Sequence, residues 1–374
     1  IRTMKQQLLK VLFVCMAVAF LPQVAHAAGD VEINATNFPD ENFRNYLLEQ
    51  DYGKDGILTR VERKRVTELD VSGKGIRSLQ GIEFFPKLAD LKCNNNLLAS
   101  LDVSECTALT NLNCSGNPLT SLQRNNSLTS LDISKCTALT KLECWYTQLT
   151  SLDVSGCSAL EYLECQHGQQ LTSLNIIASG CTALKTLICT KSKLTSLNVS
   201  GCTALTYLEC SRNRLAFLDV SSCTALISLH CDNNQLTALD VSKNTELTYL
   251  ECYCNQIKGA SMDNLINSLP INDNIEEPYT FYVYSPLASD ERNEGNICTK
   301  KQVKAAKEKG WVACYMVSSN YWLDYAGSDD TPSSIDDIRT EDDKDAPVYN
   351  LRGERLTAPQ KGVNIIGGRK VVVK

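Results

Sequence analysis

The stretch that decides the fold is Leu205-Thr-Tyr-Leu208-Glu-Cys210-Ser-Arg-Asn213-Arg-Leu215. Its spacing of leucine, cysteine and asparagine recurs along the chain with a basic period of 21 residues. Equivalent segments begin at Leu88, Leu109, Leu139, Leu160, Leu184, Leu226 and Leu247. The segments that start at 109 and 160 are longer, and we expect their extra residues in loops at the edge of the fold. Self-similarity at a short fixed period is typical of a solenoid whose coils stack on one another.

The second half of each coil repeats the apolar spacing of the first, as in Leu218-Asp-Val220-Ser-Ser-Cys223. Alternating apolar residues are typical of short strands, here with leucine, valine and cysteine pointing inward. A coil of 21 residues leaves no room for a helix on its far side. The pattern therefore predicts a mainly β, flattened solenoid of about eight short coils with two parallel strand ladders. Because one coil cannot bury its apolar face alone, we expect a cap at each end.

The repeat resembles the leucine-rich-repeat pattern Leu-x-x-Leu-x-Leu-x-x-Asn-x-Leu, with cysteine in the third apolar position. We expect its asparagine to turn the chain at one corner of each coil and to satisfy backbone groups there. The asparagines in this position are Asn96, Asn117, Asn213, Asn234 and Asn255. Thr147 and Ser192 replace it in two coils, which predicts looser corners.

Most of the 18 cysteines fall into two columns of the repeat. The first column is Cys93, Cys114, Cys144, Cys165, Cys189, Cys210, Cys231 and Cys252, and the second is Cys106, Cys136, Cys157, Cys181, Cys202 and Cys223. A disulfide framework links distant segments, whereas here the same residue returns at the same point of each coil. This favours cysteine as a small buried apolar side chain. Disulfides between coils and metal binding are the alternatives, and metal is the weaker one because the sequence has no Cys-x-x-Cys pair.

Residues 1–27 have the three parts of a secretory signal. Lys5 and Lys10 give a basic start, residues 11–21 form an apolar centre, and Ala25-His26-Ala27 is a small-x-small cleavage site. The apolar run is shorter than the about 20 residues that cross a membrane, so we expect export, cleavage and a secreted or cell-surface location without a membrane span. The net charge of −6 comes without a basic stripe, which argues against nucleic acid as a partner.

Residues 28–87 are expected to cap the solenoid, with helical apolar spacing from Phe38 to Leu48. The loop that follows resembles a calcium-binding EF-hand loop. Its candidate Ca²⁺ ligands are Asp51, Asp55, Ile57, Thr59 and Glu62, at loop positions one, five, seven, nine and twelve. Gly53 departs from the pattern, because it offers no side-chain ligand at position three. A capping turn that needs no metal is the alternative.

The solenoid is expected to span residues 88–256 and a small α/β cap residues 257–325. In this cap we expect helices at 262–269 and 300–310 and strands at 279–284 and 311–317. Residues 326–346 are rich in Asp, Ser, Thr, Pro and Glu, which is typical of a flexible acidic linker. Residues 347–374 are expected to form three short strands.

The last 28 or so residues resemble the C-terminal sorting domains that the type IX secretion system of Bacteroidetes recognises. That resemblance implies passage across the outer membrane and surface anchoring after the tail is processed; an ordinary β module is the alternative. The signal, caps, repeats and tail together resemble the surface leucine-rich-repeat proteins of Bacteroidetes, some of which are compared with internalins. The resemblance implies an adhesin or interaction protein and names no ligand.

Side chains that flank the inward leucine and cysteine of the first strand should point outward, since strand side chains alternate. Aromatic and acidic residues then share one face of the solenoid. The candidate binding residues are Trp145, Tyr162, Tyr207, Tyr249, Tyr253, Glu143, Glu164, Glu209 and Glu251. Tyrosine and tryptophan are favoured at interfaces and their rings also suit sugars, so we expect a surface protein or glycan as the partner. Simple tolerance of these residues on an exposed sheet is the alternative.

Catalysis is not expected, because the sequence has no nucleophile elbow, phosphate loop or metal motif and its two histidines beyond residue 27 lie in separate coils. The function class that competes with adhesion is a structural one. In it the chain is a surface spacer whose partner is another copy of itself.

Overall fold

The structure is a computed structural model that describes residues 29–120, 123–126, 128–168, 171–175, 181–274, 276–286, 294–318, 321–328, 348–350, 355–356, 362–366 and 369–373. The expected secretory signal lies outside these residues, and so does the expected linker beyond residue 328. In the described part of the chain, no helix has the length and the apolar character that a bilayer crossing requires.

Helices are few and short. They are α1 (Glu41–Glu49), α2 (Arg60–Arg65), α3 (Ala260–Ser268) and α4 (Lys300–Glu308). The strands are β1 (Val31–Glu32), β2 (Ile57–Leu58), β3 (Glu68–Asp70), β4 (Asp90–Lys92), β5 (Ser100–Asp102), β6 (Asn111–Asn113), β7 (Pro118–Thr120), β8 (Gln123–Asn126), β9 (Ser130–Asp132), β10 (Lys141–Glu143), β11 (Tyr162–Glu164), β12 (Ser173–Asn175), β13 (Thr186–Ile188), β14 (Ser196–Asn198), β15 (Tyr207–Glu209), β16 (Ser228–His230), β17 (Tyr249–Glu251), β18 (Tyr279–Tyr284), β19 (Trp311–Ser318), β20 (Tyr321–Asp324), β21 (Val348–Asn350), β22 (Arg355–Leu356), β23 (Gly362–Ile366) and β24 (Arg369–Val373).

One long sheet runs along the first side of the coils. Its order is β3, β4, β6, β10, β11, β13, β15, β16, β17, β18, β19 and β20, and every pair is parallel except the last. The inward leucines stand in register across the coils, so that Leu208 lies beside Leu187 and Leu229. The expected mainly β class is confirmed by this long parallel sheet. The sheet also extends beyond the repeats at both ends, through β3 and through β18.

The inward side chains form a continuous apolar core beneath this sheet. Leu208 and Cys210 are both 0% exposed, and the column cysteines are buried thiols without a disulfide. Thiols of the second column also donate weak hydrogen bonds to the preceding coil, as Cys136 Sγ does to the Val103 carbonyl at 3.3 Å. Burial raises the pKa of the Cys136 thiol to about 11. The cysteines are therefore small buried side chains that also act as weak donors.

The corner asparagines link neighbouring coils, as the repeat predicts. The Asn234 amide N–H groups donate to the carbonyls of Cys210 and Cys231, at 3.0 and 3.1 Å, and its carbonyl accepts from the backbone N–H of Leu215 at 3.0 Å. Thr147 makes a single bond of this kind, to the carbonyl of its own coil. An asparagine corner thus joins backbone groups from two coils, and Thr147 does not. Ser192 still reaches both coils, because its hydroxyl accepts from the Gly168 backbone N–H at 3.2 Å and lies 3.4 Å from the carbonyls of Cys165 and Thr190. The looser corner is therefore found at Thr147.

The second side of the coils is less regular than predicted. Within the described residues it contains two parallel strand pairs, β5 with β9 and β12 with β14, so the expected second parallel ladder is present only in pieces. In most coils the second-side stretch ends in a turn that an aspartate closes, and Asn198 does the same in one coil. The Asp219 carboxylate, for example, accepts from the Ser221 backbone N–H at 2.9 Å. Because the turn follows so soon, few backbone bonds join the coils here. The inward packing of Leu218 and Val220 holds this side instead.

The N-terminal cap covers the first coil with aromatic side chains. Helix α1 begins after Asp40, whose carboxylate accepts from the backbone N–H of Phe43. The Phe38 ring packs edge-on against Phe43 and Phe84, at 5.7 and 5.6 Å between centroids. Gly81 has a φ of +102°, and a Cβ atom there would lie 2.3 Å from the Phe38 ring. Glycine is therefore required where this cap packs.

The C-terminal cap continues the solenoid with different residues. Phe281 of β18 takes the inward position that Leu250 holds in β17. Asn296 repeats the corner arrangement by donating to the backbone carbonyl of Cys252 at 2.8 Å. Trp311 is fully buried, and its indole N–H donates to the carbonyl of Pro270 at 2.8 Å. The repeat geometry thus extends about one coil beyond the repeat sequence.

Two hairpins depart from the sequence expectations. Part of the longer segment that starts at 109 forms the antiparallel pair β7 and β8. In the C-terminal region β21, β22, β23 and β24 form a four-stranded antiparallel sheet instead of three strands. The additional strand arises because residues 348–356 contain both β21 and β22, which pair with each other.

Replacing a corner asparagine tests how much the links between coils contribute to stability. We expect Asn234→Ala to lower the free energy of unfolding by about 3 kcal/mol, because it leaves buried backbone groups without partners. The measurement is urea denaturation followed by circular dichroism. The control is Asn198→Ala, which removes an exposed side chain and should cost less than about 1 kcal/mol. Equal effects of the two substitutions would contradict the structural role of Asn234.

The column cysteines should be unreactive while the protein is folded. Burial raises their pKa values and keeps reagents away, so we expect no labelling by a thiol reagent in mildly alkaline buffer. All of them should react once guanidinium unfolds the protein, and mass spectrometry of the labelled chain gives the number. Rapid labelling in buffer would show that the columns are open. Missing labels after unfolding without a reductant would show disulfides between coils.

Candidate binding face

The outward side chains of the long sheet form two columns. In its strands β10, β11, β13, β15, β16 and β17 the first and third residues point away from the core, and the leucine between them is buried. We call seven of them the tyrosine–glutamate face: Glu143, Tyr162, Glu164, Tyr207, Glu209, Tyr249 and Glu251. All seven are half-buried, because neighbouring strands cover the lower part of each side chain.

Each tyrosine of this face is fixed by the glutamate of its own strand. The Tyr162 hydroxyl donates to the Glu164 carboxylate at 2.8 Å, and the Tyr207 hydroxyl donates to Glu209 at 2.9 Å. Tyr249 makes the same bond to Glu251. Burial, together with these carboxylates, raises the pKa of all three tyrosines, so the hydroxyls stay protonated donors. The bonds restrict the rings before any partner arrives.

Aromatic rings form a continuous strip across the C-terminal half of the face. The His230 ring lies between Tyr207 and Tyr249, at 5.2 and 4.9 Å between centroids. Tyr249 contacts Tyr282 at 5.3 Å, and Tyr282 contacts Trp322 at 4.1 Å. The strip therefore crosses from the repeats into the C-terminal cap. Large rigid aromatic surfaces of this kind contribute strongly to binding interfaces.

Charge is distributed unevenly along the face. Lys141 lies 3.2 Å from the Glu143 carboxylate and over the Tyr162 ring at 5.3 Å, so the N-terminal end has a cation of its own. In strands β15, β16 and β17 the outward residues include no lysine or arginine. Their outward residues include one imidazole, that of His230, whose Nδ1 lies 3.2 Å from the Glu251 carboxylate. The C-terminal half of the face is consequently acidic and aromatic.

Tyr253 does not lie on the exposed face, contrary to the sequence expectation. It is 5% exposed, and Trp322 packs against it at 5.6 Å between ring centroids. Its neighbour in the preceding coil, Asp232, is 2% exposed and accepts a hydrogen bond from Ser211. Both residues follow a cysteine of the first column, and this position forms a third column beyond the strand ends, where the chain turns toward the buried corner asparagines. Trp145 occupies the same column but is half-buried, next to Tyr146 at 5.4 Å.

The EF-hand-like loop keeps its carboxylates apart. The Asp51 carboxylate pairs with Lys54, and the Asp55 carboxylate accepts from the backbone N–H of Ile57 at 3.0 Å. The Glu62 carboxylate accepts from the backbone N–H and the hydroxyl of Thr59, which makes it part of the capping box of α2. In the described residues, this loop included, no group of three or more His, Cys, Asp and Glu side chains is placed to hold a metal ion.

Gly53 shows why the third loop position lacks a ligand. A Cβ atom there would lie 2.1 Å from the Leu47 carbonyl oxygen at the end of α1. A carboxylate at this position is sterically incompatible with the packing of the helix. The following residues Ile57 and Leu58 pair with β1. Of the two interpretations of this loop, a capping turn that needs no metal fits this geometry better.

The sequence analysis did not predict Tyr282 and Trp322 as residues of the aromatic strip. Tyr282 could have been found by aligning Thr280-Phe281-Tyr282 with Tyr249-Leu250-Glu251, since the two strands are in register. Trp322 gave no such signal, because β20 joins the sheet in the antiparallel direction and outside the repeat.

Comparison with known proteins returned structural similarities of low score. No protein-family model matches the sequence, and no curated protein matches it. The functional domain of InlJ from Listeria monocytogenes, which includes a cysteine ladder, is 25% identical with a TM-score of 0.38, covering 78% of each chain. An internalin (inlF) from the same species is 21% identical with a TM-score of 0.43, covering 79% of this chain and 93% of that one. Internalin C2 of that species is 19% identical with a TM-score of 0.44, covering 64% and 95%.

Calcium binding at residues 51–62 can be tested directly. Since Glu62 and Asp55 already serve as helix and turn caps, we expect titration calorimetry with CaCl₂ to show no binding heat in the parent protein. The paired variant Asp55→Ala, Glu62→Ala is the control. Heat in the parent that disappears in this variant would establish calcium as the ligand and overturn the metal-free interpretation.

Proposed function

We propose that this chain is an exported leucine-rich-repeat protein of the cell surface that binds a protein or glycan partner through the tyrosine–glutamate face. The observation that carries the proposal is the aromatic strip from Tyr207 to Trp322, which lies on a rigid parallel sheet and is fixed by hydrogen bonds to glutamates. Binding through such a surface loses little side-chain entropy, because the rings are already restricted.

The composition of the face supports binding over simple solvation. Aromatic residues are enriched where partners dock, and they supply large contact areas with few rotatable bonds. On this face the tyrosine hydroxyl oxygens and the glutamate carboxylates lie beside the rings and can accept hydrogen bonds from a partner. A surface selected for solubility alone would not need rings in contact over three neighbouring strands of the repeats and two strands of the C-terminal cap.

Export and surface location are part of the proposal. They rest on the secretory signal in residues 1–27 and on the similarity of residues 347–374 to type IX sorting segments of Bacteroidetes. Catalysis is not part of it, because the sequence carries no nucleophile elbow, phosphate loop or metal motif. The described face does place one serine hydroxyl beside an imidazole, on its open sheet surface. Its one histidine bonds to Ser228 and Glu251 and lies among tyrosine rings.

Removing the rings tests the proposal. We expect Trp145→Ala, Tyr162→Ala, Tyr207→Ala and Tyr249→Ala together to reduce adhesion of the purified protein to host cells or matrix by at least about 100-fold. The inward leucines and cysteines are unchanged, so the variant should keep its fold, which circular dichroism checks. Adhesion is measured by surface plasmon resonance and by a cell-attachment assay.

The matched control is Phe217→Ala, which removes a ring that is 72% exposed on the second side of the coils. This variant should adhere like the parent. If the four-residue variant adheres as well as the parent, the face is not the binding site. If the parent binds no host protein or glycan and self-associates in the analytical ultracentrifuge, the chain is a structural spacer instead.

A further inference from the structure

A column of left-handed residues runs along the corner of the coils. The eighth residue of each coil has a positive φ: Asn95, Gly116, Tyr146, His167, Lys191, Arg212, Asn233 and Cys254. The left-handed conformation is sterically costly for most side chains, and glycine and asparagine tolerate it best. Three coils use asparagine or glycine there, as expected. Four consecutive coils use larger aromatic or basic side chains, whose values of φ lie between +51° and +58°.

This choice of residues does not help the corner to fold. The backbone N–H of every one of these four residues donates to the next coil, as that of Arg212 does to Asp232 at 3.0 Å. Asn233 makes the same backbone bond, to Tyr253, at the same length. An asparagine would therefore form the corner equally well with less strain. Side chains kept at strained positions point to a function for those side chains.

The same corner concentrates exposed positive charge in an acidic protein. Lys191 and Arg212 stand on neighbouring coils, about 4.8 Å apart in the strand-pairing direction. Lys193 and Arg214 follow two residues later and are exposed as well, whereas Ser192 between the lysines is buried. Among the described residues, none of these four cations forms an ion pair. Together they form a two-by-two group of cations on one edge.

Aromatic rings continue this group toward the N-terminus. Tyr146 is 43% exposed, and its ring stacks on His167 at 4.3 Å between centroids with an angle of 29° between planes. Lys191 and Arg212 lie close enough to His167 to lower its pKa, in addition to the effect of burial. The stacked pair is therefore a neutral flat platform beside the cations at neutral pH.

We propose that this corner, defined as Tyr146, His167, Lys191, Lys193, Arg212 and Arg214, binds a linear polysaccharide that carries sulfate or carboxylate groups. The cations of successive coils match anionic groups repeated along an extended chain, and the ring platform suits the flat apolar face of a sugar. Nucleic acid fits less well, because the four cations lie on two coils and the sequence carries no longer basic stripe. An acidic peptide would use the cations but not the platform.

The test uses the whole protein and the substitution Lys191→Asn with Arg212→Asn. Dextran sulfate should bind the parent, more weakly as salt rises, and unsulfated dextran should not bind. The variant should bind dextran sulfate about tenfold more weakly. Its melting temperature should be equal to or higher than that of the parent, because asparagine relieves the left-handed strain. Exchange of the two cations, Lys191→Arg with Arg212→Lys, should preserve binding.

The matched control is Lys301→Gln with Lys307→Gln, which removes two exposed charges from helix α4 and should leave binding unchanged. The binding measurement is repeated with hyaluronate, which carries carboxylates in place of sulfates. Comparison of the two ligands shows which anionic group the corner recognises. The proposal is overturned if the asparagine variant binds dextran sulfate like the parent, or if polyglutamate of equal charge binds as well as dextran sulfate. Substitution of Tyr207 and Tyr249 by alanine should not change the binding of dextran sulfate. The test of this corner is therefore independent of the test of the tyrosine–glutamate face.

Discussion

The structure depends on the register between neighbouring coils. Leucine pairs with leucine across every parallel strand pair of the repeats, and the corner asparagine joins the backbone of its own coil to that of the preceding one. Because each coil is short and has little core of its own, its buried backbone groups are satisfied mainly by its neighbours. A shift of one residue in the strand pairing would turn the leucines outward. The register therefore determines, at every position, whether a side chain points into the core or toward solvent.

The register between coils also determines which side chains lie together on the candidate binding surfaces. A side chain at a given position of the repeat recurs one strand spacing further along the axis, so any preference for tyrosine or lysine becomes a column. On the sheet this produces the strip of Tyr207, His230 and Tyr249, and on the corner it produces Lys191 beside Arg212. The solenoid therefore presents an acidic aromatic face and a basic edge on the same few coils.

The two caps pack on the first and last coils and so support the register between coils. They also extend the surface of the long sheet. Phe38 and its aromatic neighbours close the first coil, while Phe281 and Asn296 imitate the leucine and asparagine of a repeat in the last. The C-terminal cap also contributes Tyr282 and Trp322 to the strip, so its role is not limited to stability.

Much of this architecture was determined by the amino-acid sequence itself. The period of the leucines, the columns of cysteine and the corner asparagines are local and recur from coil to coil, so the mainly β solenoid and its inward side chains followed from them. What only the tertiary structure decided depends on segments from elsewhere in the chain. Trp322 buries Tyr253, which the alternation of the strand placed outside, and the early turns at residues such as Asp219 interrupt the second ladder. Burial is set by what packs on a residue, and the pattern around that residue does not contain this information.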